Sequence, residues 1–174
     1  MLIERPSRRF EYKGKWKDRQ IIDDYAHHPT EINSTIEMAH KIIESNQTPF
    51  PDISKRLVVV FQPHRFSRTN TFINDFARAL SKTELLILAP TYAAGEDYIE
   101  SANISSIAKQ ILKIKPNLKI YIGASMKEVI KLIKENSRRK DLILTMGAGD
   151  INNVWKLLNN EEKIKECPEF KQAA

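Results

Sequence analysis

One cysteine, Cys167, stands in a chain of 174 residues, so an internal disulfide is impossible and the small disulfide-stapled folds are excluded. A lone thiol this close to the end of the chain reads as a bystander, in agreement with a reducing compartment. No apolar run approaches the ~20 residues that cross a bilayer. The opening Met1-Leu2-Ile3-Glu4-Arg5-Pro6 also lacks the apolar stretch of a secretory signal. A soluble, cytoplasmic protein without a membrane partner is expected. Glycine and proline number only 5 and 8, which excludes collagen-like and low-complexity chains. Short signatures are missing too: there is no Cys-x-x-Cys or His-Glu-x-x-His for zinc and no Gly-Lys-Ser/Thr phosphate loop.

What remains is the composition of one compact domain, 41% hydrophobic and 29% charged, long enough for a sizeable core but short for an enzyme handling several large substrates. The 28 basic against 22 acidic side chains leave a net charge of +6, which favours anionic ligands: phosphates, carboxylates, nucleic acid or an acidic membrane.

Periodicity predicts repeated β-α units. Short apolar runs at residues 20–23, 57–61, 85–88, 119–122 and 141–145 read as strands, and Leu57-Val58-Val59-Val60-Phe61 lacks alternation, as a strand buried on both faces should. Between and after them lie helical stripes: Ile32, Ile36, Ala39 and Ile43, then Phe72, Ile73, Phe76 and Leu80, then Ile104, Ile107, Ala108, Ile111 and Leu112. Met126, Val129, Ile130 and Ile133 form the fourth stripe, and Ile151, Val154, Trp155 and Leu158 the fifth. Pro29 suits a first helical turn, and Ser125 with Glu128 has capping-box spacing. A polar stretch over 45–55 with Pro49 and Pro51 reads as a surface loop. Strands joined by helices run parallel, so the expected fold is α/β: a Rossmann-like, doubly wound, mostly parallel sheet of about five to six strands with helices on both faces. Residues 1–19, rich in Arg and Lys around Phe10, Tyr12 and Trp16, are expected as a hairpin or a linker from a preceding domain, 20–160 as the domain, and 161–174 as a tail.

Ligands in such sheets bind beyond the carboxyl ends of the strands. The residues expected there are chemically rich: Asp23-Asp24-Tyr25-Ala26-His27-His28-Pro29, Gln62-Pro63-His64-Arg65-Phe66-Ser67-Arg68, Pro90-Thr91-Tyr92-Ala93-Ala94-Gly95-Glu96 and Met146-Gly147-Ala148-Gly149-Asp150. His27 and His28 suggest either loop-holding or a ligand role, but neighbours in an extended segment point apart, which disfavours a zinc pair. His40, inside a helix, is expected to face solvent. Arg65 and Arg68 within one helical turn make a fork for a carboxylate or phosphate, or a surface cluster paired to local acids. Gly147 and Gly149 allow backbone N–H groups close to an anion, or simply make a tight turn. Asp23 and Asp24 suit a ribose hydroxyl, a metal or a cap.

The first, second and fourth of these segments, in this order and extended to Glu31, Thr69 and Thr145, resemble those of the Mur ligase family, in particular its branch that joins L-alanine to UDP-N-acetylmuramate. The Tyr92 loop, ending Ala94-Gly95-Glu96, is similar as well, and the likeness runs from about Arg8 onward. The resemblance implies the Rossmann-like C-terminal domain of a three-domain ligase whose other domains hold UDP-N-acetylmuramate and ATP, working through an acyl phosphate. It implies that His64, Arg65 and Arg68 bind L-alanine, that Tyr25 and His27 act catalytically, and that Asp24, Tyr25 and His27 face the nucleotide. Tyr92, Glu96, Gly147 and Gly149 would line the cleft. ATP and Mg2+ belong to the full enzyme, with no metal or cofactor expected on this domain alone, which would be inactive. Two rival readings are a muropeptide-recycling ligase, which shares an Asp-Asp-x-Ala-His-His-Pro segment, and a basic nucleic-acid-binding module using Arg5, Arg8, Arg9 and Arg138-Arg139-Lys140. No nucleic-acid motif accompanies the basic runs, so no nucleic-acid partner is expected. The oligomeric state is not readable from sequence.

Overall fold

A computed structural model describes residues 8–45 and 56–165, with side chains to residue 160. Arg5, Cys167 and the stretch 46–55 expected as a loop lie outside the described residues. Six strands form one sheet: β1 (Glu11–Trp16), β2 (Arg19–Asp24), β3 (Leu57–Phe61), β4 (Leu85–Leu88), β5 (Lys119–Ile122) and β6 (Leu142–Met146), in the order β1-β2-β6-β3-β4-β5. Every pairing is parallel except β1 with β2, which is antiparallel with an irregularity between Tyr12 and Gly14. Residues 11–16 therefore add a hairpin strand to the sheet.

The helices are α1 (Pro29–Ser45), α2 (Phe66–Leu80), α3 (Ile104–Ile114), α4 (Met126–Asn136) and α5 (Val154–Lys165). α5 runs past residue 160, to Lys165. The buried stripes of α1, α2 and α3 pack with Leu57, Val59 and Phe61 on one face, where the Phe61 and Phe76 rings lie 5.6 Å apart. Those of α4 and α5 pack with Val58, Val60 and Trp16 on the other. Alternate residues of β3 thus feed two cores, and for this reason the strand is continuously apolar. Each fully buried Leu, Ile or Phe contributes ~1.5–3 kcal/mol.

The chain order explains the layers. Connections that step from β2 through β3 and β4 to β5 move one way across the sheet, while the return from β5 to β6 moves the other. Right-handed crossovers place helices of opposite travel on opposite faces. β6 is inserted between β2 and β3, so the carboxyl ends of β2, β6, β3 and β4 stand side by side. Ser125 accepts from the Glu128 N–H at 3.2 Å as its spacing predicts, but the Glu128 carboxylate reaches back to the Ala124 N–H at 2.8 Å, one residue before the cap. Among the described residues no helix is long and apolar enough to cross a membrane.

Candidate active site

The four rich segments follow β2, β6, β3 and β4, and so share one rim of the sheet. After β2, the buried Asp24 organises the turn. Its carboxylate accepts from the N–H groups of Ala26 at 2.7 Å and Phe10 at 2.6 Å, and from the Thr35 hydroxyl at 3.4 Å. Burial pushes the Asp24 carboxyl above its ordinary value, with these bonds opposing the shift. Glu31, in the first turn of α1, accepts from the N–H groups of both His27 and His28 at 3.2 Å. Partial burial raises the Glu31 carboxyl, but those N–H bonds and the two imidazoles outweigh it and hold the group below its ordinary value.

The adjacent histidines diverge. His28 packs edge-on against Phe72, 4.9 Å between ring centres, at a point where Phe72 breaks the helical geometry of α2. His27 turns toward the segment after β3: its ring lies 5.8 Å from His64 and 5.2 Å from Tyr25. The His27 Nδ1 lies 3.0 Å from the Tyr25 carbonyl. A carbonyl only accepts, so Nδ1 carries the proton and Nε2 is left for chemistry.

His64 stacks on Tyr92, with centres 5.5 Å apart and planes 11° from parallel, and its Nδ1 lies 3.3 Å from Arg68 Nη1. A guanidinium only donates, so Nδ1 accepts and the imidazole is neutral with its proton on Nε2. Burial, then Arg68, His27 and Arg65 push His64 below its ordinary 6.5, which agrees with that assignment. Arg65 is exposed and adopts φ 69, ψ 135, a conformation costing a residue with Cβ ~1–3 kcal/mol. The fold holds it there: its N–H donates to the Tyr92 carbonyl at 2.9 Å, while its own carbonyl accepts from the Thr69 N–H and hydroxyl. Glu96 accepts from the Ser67 hydroxyl at 2.7 Å and the Ser67 N–H at 3.0 Å, and stands 3.9 Å from the Arg65 guanidinium. The Ser67 bonds hold the Glu96 carboxyl below its ordinary value.

Three features escaped the sequence reading. Gln62 is buried and bridges the rim: its amide donates to Asp150 at 2.7 Å and the Pro90 carbonyl at 3.2 Å, and its oxygen accepts from the Ile151 N–H at 3.1 Å. The Gly147 and Gly149 turn lies directly against it. A Cβ on Gly147 would stand 2.7 Å from the Gln62 carbonyl, and one on Gly149 2.4 Å from the Gln62 amide oxygen and 2.7 Å from Tyr92. The Gly147 N–H donates to the Asp24 carbonyl at 3.2 Å. Arg8, named in the sequence only with the basic residues of the nucleic-acid reading and as the start of the family likeness, is bonded inward to Asp23 and to the Gly147 and Gly149 carbonyls. His40 is partly exposed, and its Nε2 also lies 3.0 Å from the Lys82 carbonyl, tying α1 to the end of α2. Only the close packing of loops from distant parts of the chain produces these contacts.

Beside the Tyr25 turn lies a cavity of about 430 Å³, lined by Arg9, Phe10, Asp24, Tyr25, Thr35 and Met38 among others. Its lining joins the cationic Arg9 to the carboxylates of Asp24 and Glu31, the hydroxyls of Thr30, Ser34 and Thr35, and the apolar Phe10, Ala26 and Met38. Among the described residues no group of three His, Cys, Asp or Glu side chains is placed to hold a metal ion.

The model of a family described as Mur ligase, glutamate ligase domain, matches residues 8–149. Relatives named UDP-N-acetylmuramate–L-alanine ligase include one from Synechococcus sp. (strain CC9311), 46% identical over 159 residues, and one from Prochlorococcus marinus (strain NATL1A), 49% identical over 164. Each alignment takes in 91% of this chain but 33% of the relative, so the chain spans about a third of their length. Among solved structures, a UDP-N-acetylmuramate-alanine ligase from Thermotoga maritima is similar in fold at TM-score 0.67 and 24% identity, over 91% of this chain and 30% of that one. A murein peptide ligase from Psychrobacter arcticus is also similar, at TM-score 0.67 and 22% identity over 88% and 29%.

Proposed function

Because this chain belongs to the Mur ligase family, we propose that it is the C-terminal, amino-acid-holding domain of a cytoplasmic, ADP-forming ligase that joins L-alanine to UDP-N-acetylmuramate in peptidoglycan synthesis. The observation that carries the reading is the His27–His64 contact at 5.8 Å, which unites the β2 and β3 segments beside the Arg65 and Arg68 pair. Relatives at 46% and 49% identity bear the alanine-ligase name, and neither the recycling ligase nor the nucleic-acid module is favoured.

In this reading ATP phosphorylates the muramoyl carboxylate with release of ADP. The alanine amine then attacks the acyl phosphate, and the tetrahedral intermediate expels phosphate. Arg65 and Arg68 grip the alanine carboxylate, and the strained Arg65 backbone aims one guanidinium outward from the helix start. Fixing that end points the amine, and positioning of this kind can supply ~7–11 kcal/mol of a barrier. A neutral His64 between Arg68 and His27 keeps the pocket from accumulating a further positive charge beside an amine that must itself be neutral to attack. Tyr25 and His27 face the nucleotide, with His27 Nε2 available to the reacting phosphoryl group and Asp24 holding the turn beneath them. Tyr92, Glu96, Gly147 and Gly149 line the cleft. Mg2+ in the full enzyme neutralises phosphate charge.

The chain lacks a Gly-Lys-Ser/Thr phosphate loop and is inactive by itself on this reading. In the ligase carrying this domain, Arg65→Lys and Arg68→Lys should each raise KM for L-alanine by about tenfold or more, the loss of one good charge-assisted bond, and leave KM for ATP nearly unchanged. An unaltered KM for L-alanine in both variants overturns the assignment.

A further inference from the structure

Arg8 lies ahead of β1 and touches several groups of the rim. Its backbone is left-handed, φ 65, as is that of Phe10, φ 47. Its guanidinium donates to Asp23 at 3.0 Å and to the Gly147 carbonyl at 2.7 Å, lies 3.4 Å from the Gly149 carbonyl, and stacks over the Tyr25 ring at 5.1 Å. Its own carbonyl accepts from the Tyr25 N–H at 2.7 Å, and two residues later the Phe10 N–H donates to Asp24. Asp23 in turn accepts from the Thr145 hydroxyl at 2.7 Å. One side chain therefore ties the incoming segment to the ends of β2 and β6 at once.

A surface cation would need none of this. The guanidinium is mostly shielded, and only a planar fork can serve two carbonyls and a carboxylate while lying over a ring. These contacts accompany the left-handed backbone at Arg8 and Phe10.

We propose that Arg8 is a positioning residue for the nucleotide side of the site: it fixes the path of the incoming segment to the Tyr25–His27 turn and to the Gly147–Gly149 turn. The proposal rests on the ligase reading above. Arg8 need not touch ATP to set its affinity.

The test uses the ligase carrying this domain. Arg8→Lys preserves the charge toward Asp23 but cannot also bridge the two carbonyls and cover Tyr25, so KM for ATP should rise about tenfold while KM for L-alanine stays within about twofold. Arg8→Met, of similar length and without donors, should raise it further. Should Arg8→Met fold poorly, Tyr25→Leu removes the ring under the guanidinium and leaves the Arg8 polar bonds in place. Combined with Arg8→Lys it should then raise KM for ATP by less than the product of the two single effects. An unchanged KM for ATP, KM values for ATP and L-alanine rising together, or multiplicative single effects would each overturn the proposal. The Arg65→Lys control separates the two ideas. If that variant leaves KM for L-alanine unaltered, the ligase reading of the site has failed; if it raises that KM while Arg8→Lys leaves ATP untouched, only the role of Arg8 has failed.

Discussion

Replacing Gly147 with alanine probes how tightly the end of β6 is packed against the segment after β3. The added Cβ would stand 2.7 Å from the Gln62 backbone carbonyl and 3.2 Å from the Gln62 Cβ, and the residue has φ +148. Backbone atoms cannot swing aside as the tip of a flexible chain can, so the turn must move. Overpacking of this kind costs ~1–3 kcal/mol, and a conformation open essentially to glycine alone adds ~1–3 kcal/mol. Together these make ~4 kcal/mol at the midpoints, a large fraction of the ~5–15 kcal/mol that holds a domain folded. At ~2–4 °C per kcal/mol for a chain of this size, Tm should fall by ~8–16 °C. Gly95 is the matched control, with φ +83 but nothing within 4 Å of its Cβ, so Gly95→Ala carries the conformational cost of ~1–2 kcal/mol without the clash. Thermal unfolding of the 174-residue chain followed by circular dichroism reads both. If Gly147→Ala proves no more damaging than Gly95→Ala, the reasoning from close approach is wrong.

Gln62→Leu leaves the buried Ile151 N–H without its acceptor and should cost ~1–3 kcal/mol in urea unfolding, whereas a loss under 0.5 kcal/mol would deny the bridge a structural role. The His64 imidazole should titrate below 6.5 when followed by NMR, because burial and Arg68 disfavour its charged form. Folding favours neutral His64, so the stability from that preference is complete above about pH 6.5 and is lost as pH falls through the folded value. The stability gap between the parent and His64→Gln should accordingly narrow on acidification from about pH 7.5 to 5.5; a gap that widens would contradict the sign. The chain alone should release no ADP from ATP with L-alanine and UDP-N-acetylmuramate present, and any turnover above that of a blank would refute the domain reading.

Much of the fold was legible because its signals are local. The unbroken apolar run 57–61 announced a strand buried on both faces, and the stripe Ile32, Ile36, Ala39, Ile43 announced one helix face. The candidate site was legible in outline, since the loops after parallel strands gather at one rim and His27, His64 and Tyr92 do meet. Arg8 was misjudged among basic residues because nothing local distinguishes a guanidinium bonded to two carbonyls from one in water. The tie from His40 to the Lys82 carbonyl was hidden for the same reason: its partner is 42 residues away.

Sequence alone therefore determined which segments are strands and helices, where the polar clusters interrupt them, and which family they belong to, since each depends on residue type and short-range spacing. Tertiary structure alone decided that β6 lies between β2 and β3, that His64 accepts from Arg68 and is thereby neutral, and that Gln62 and Arg8 bind the rim together. The physical reason is range. Periodicity and turn chemistry act over a few residues, whereas the choice of hydrogen-bond partner for a long side chain is settled only when distant backbone groups are brought to within about 3 Å of it.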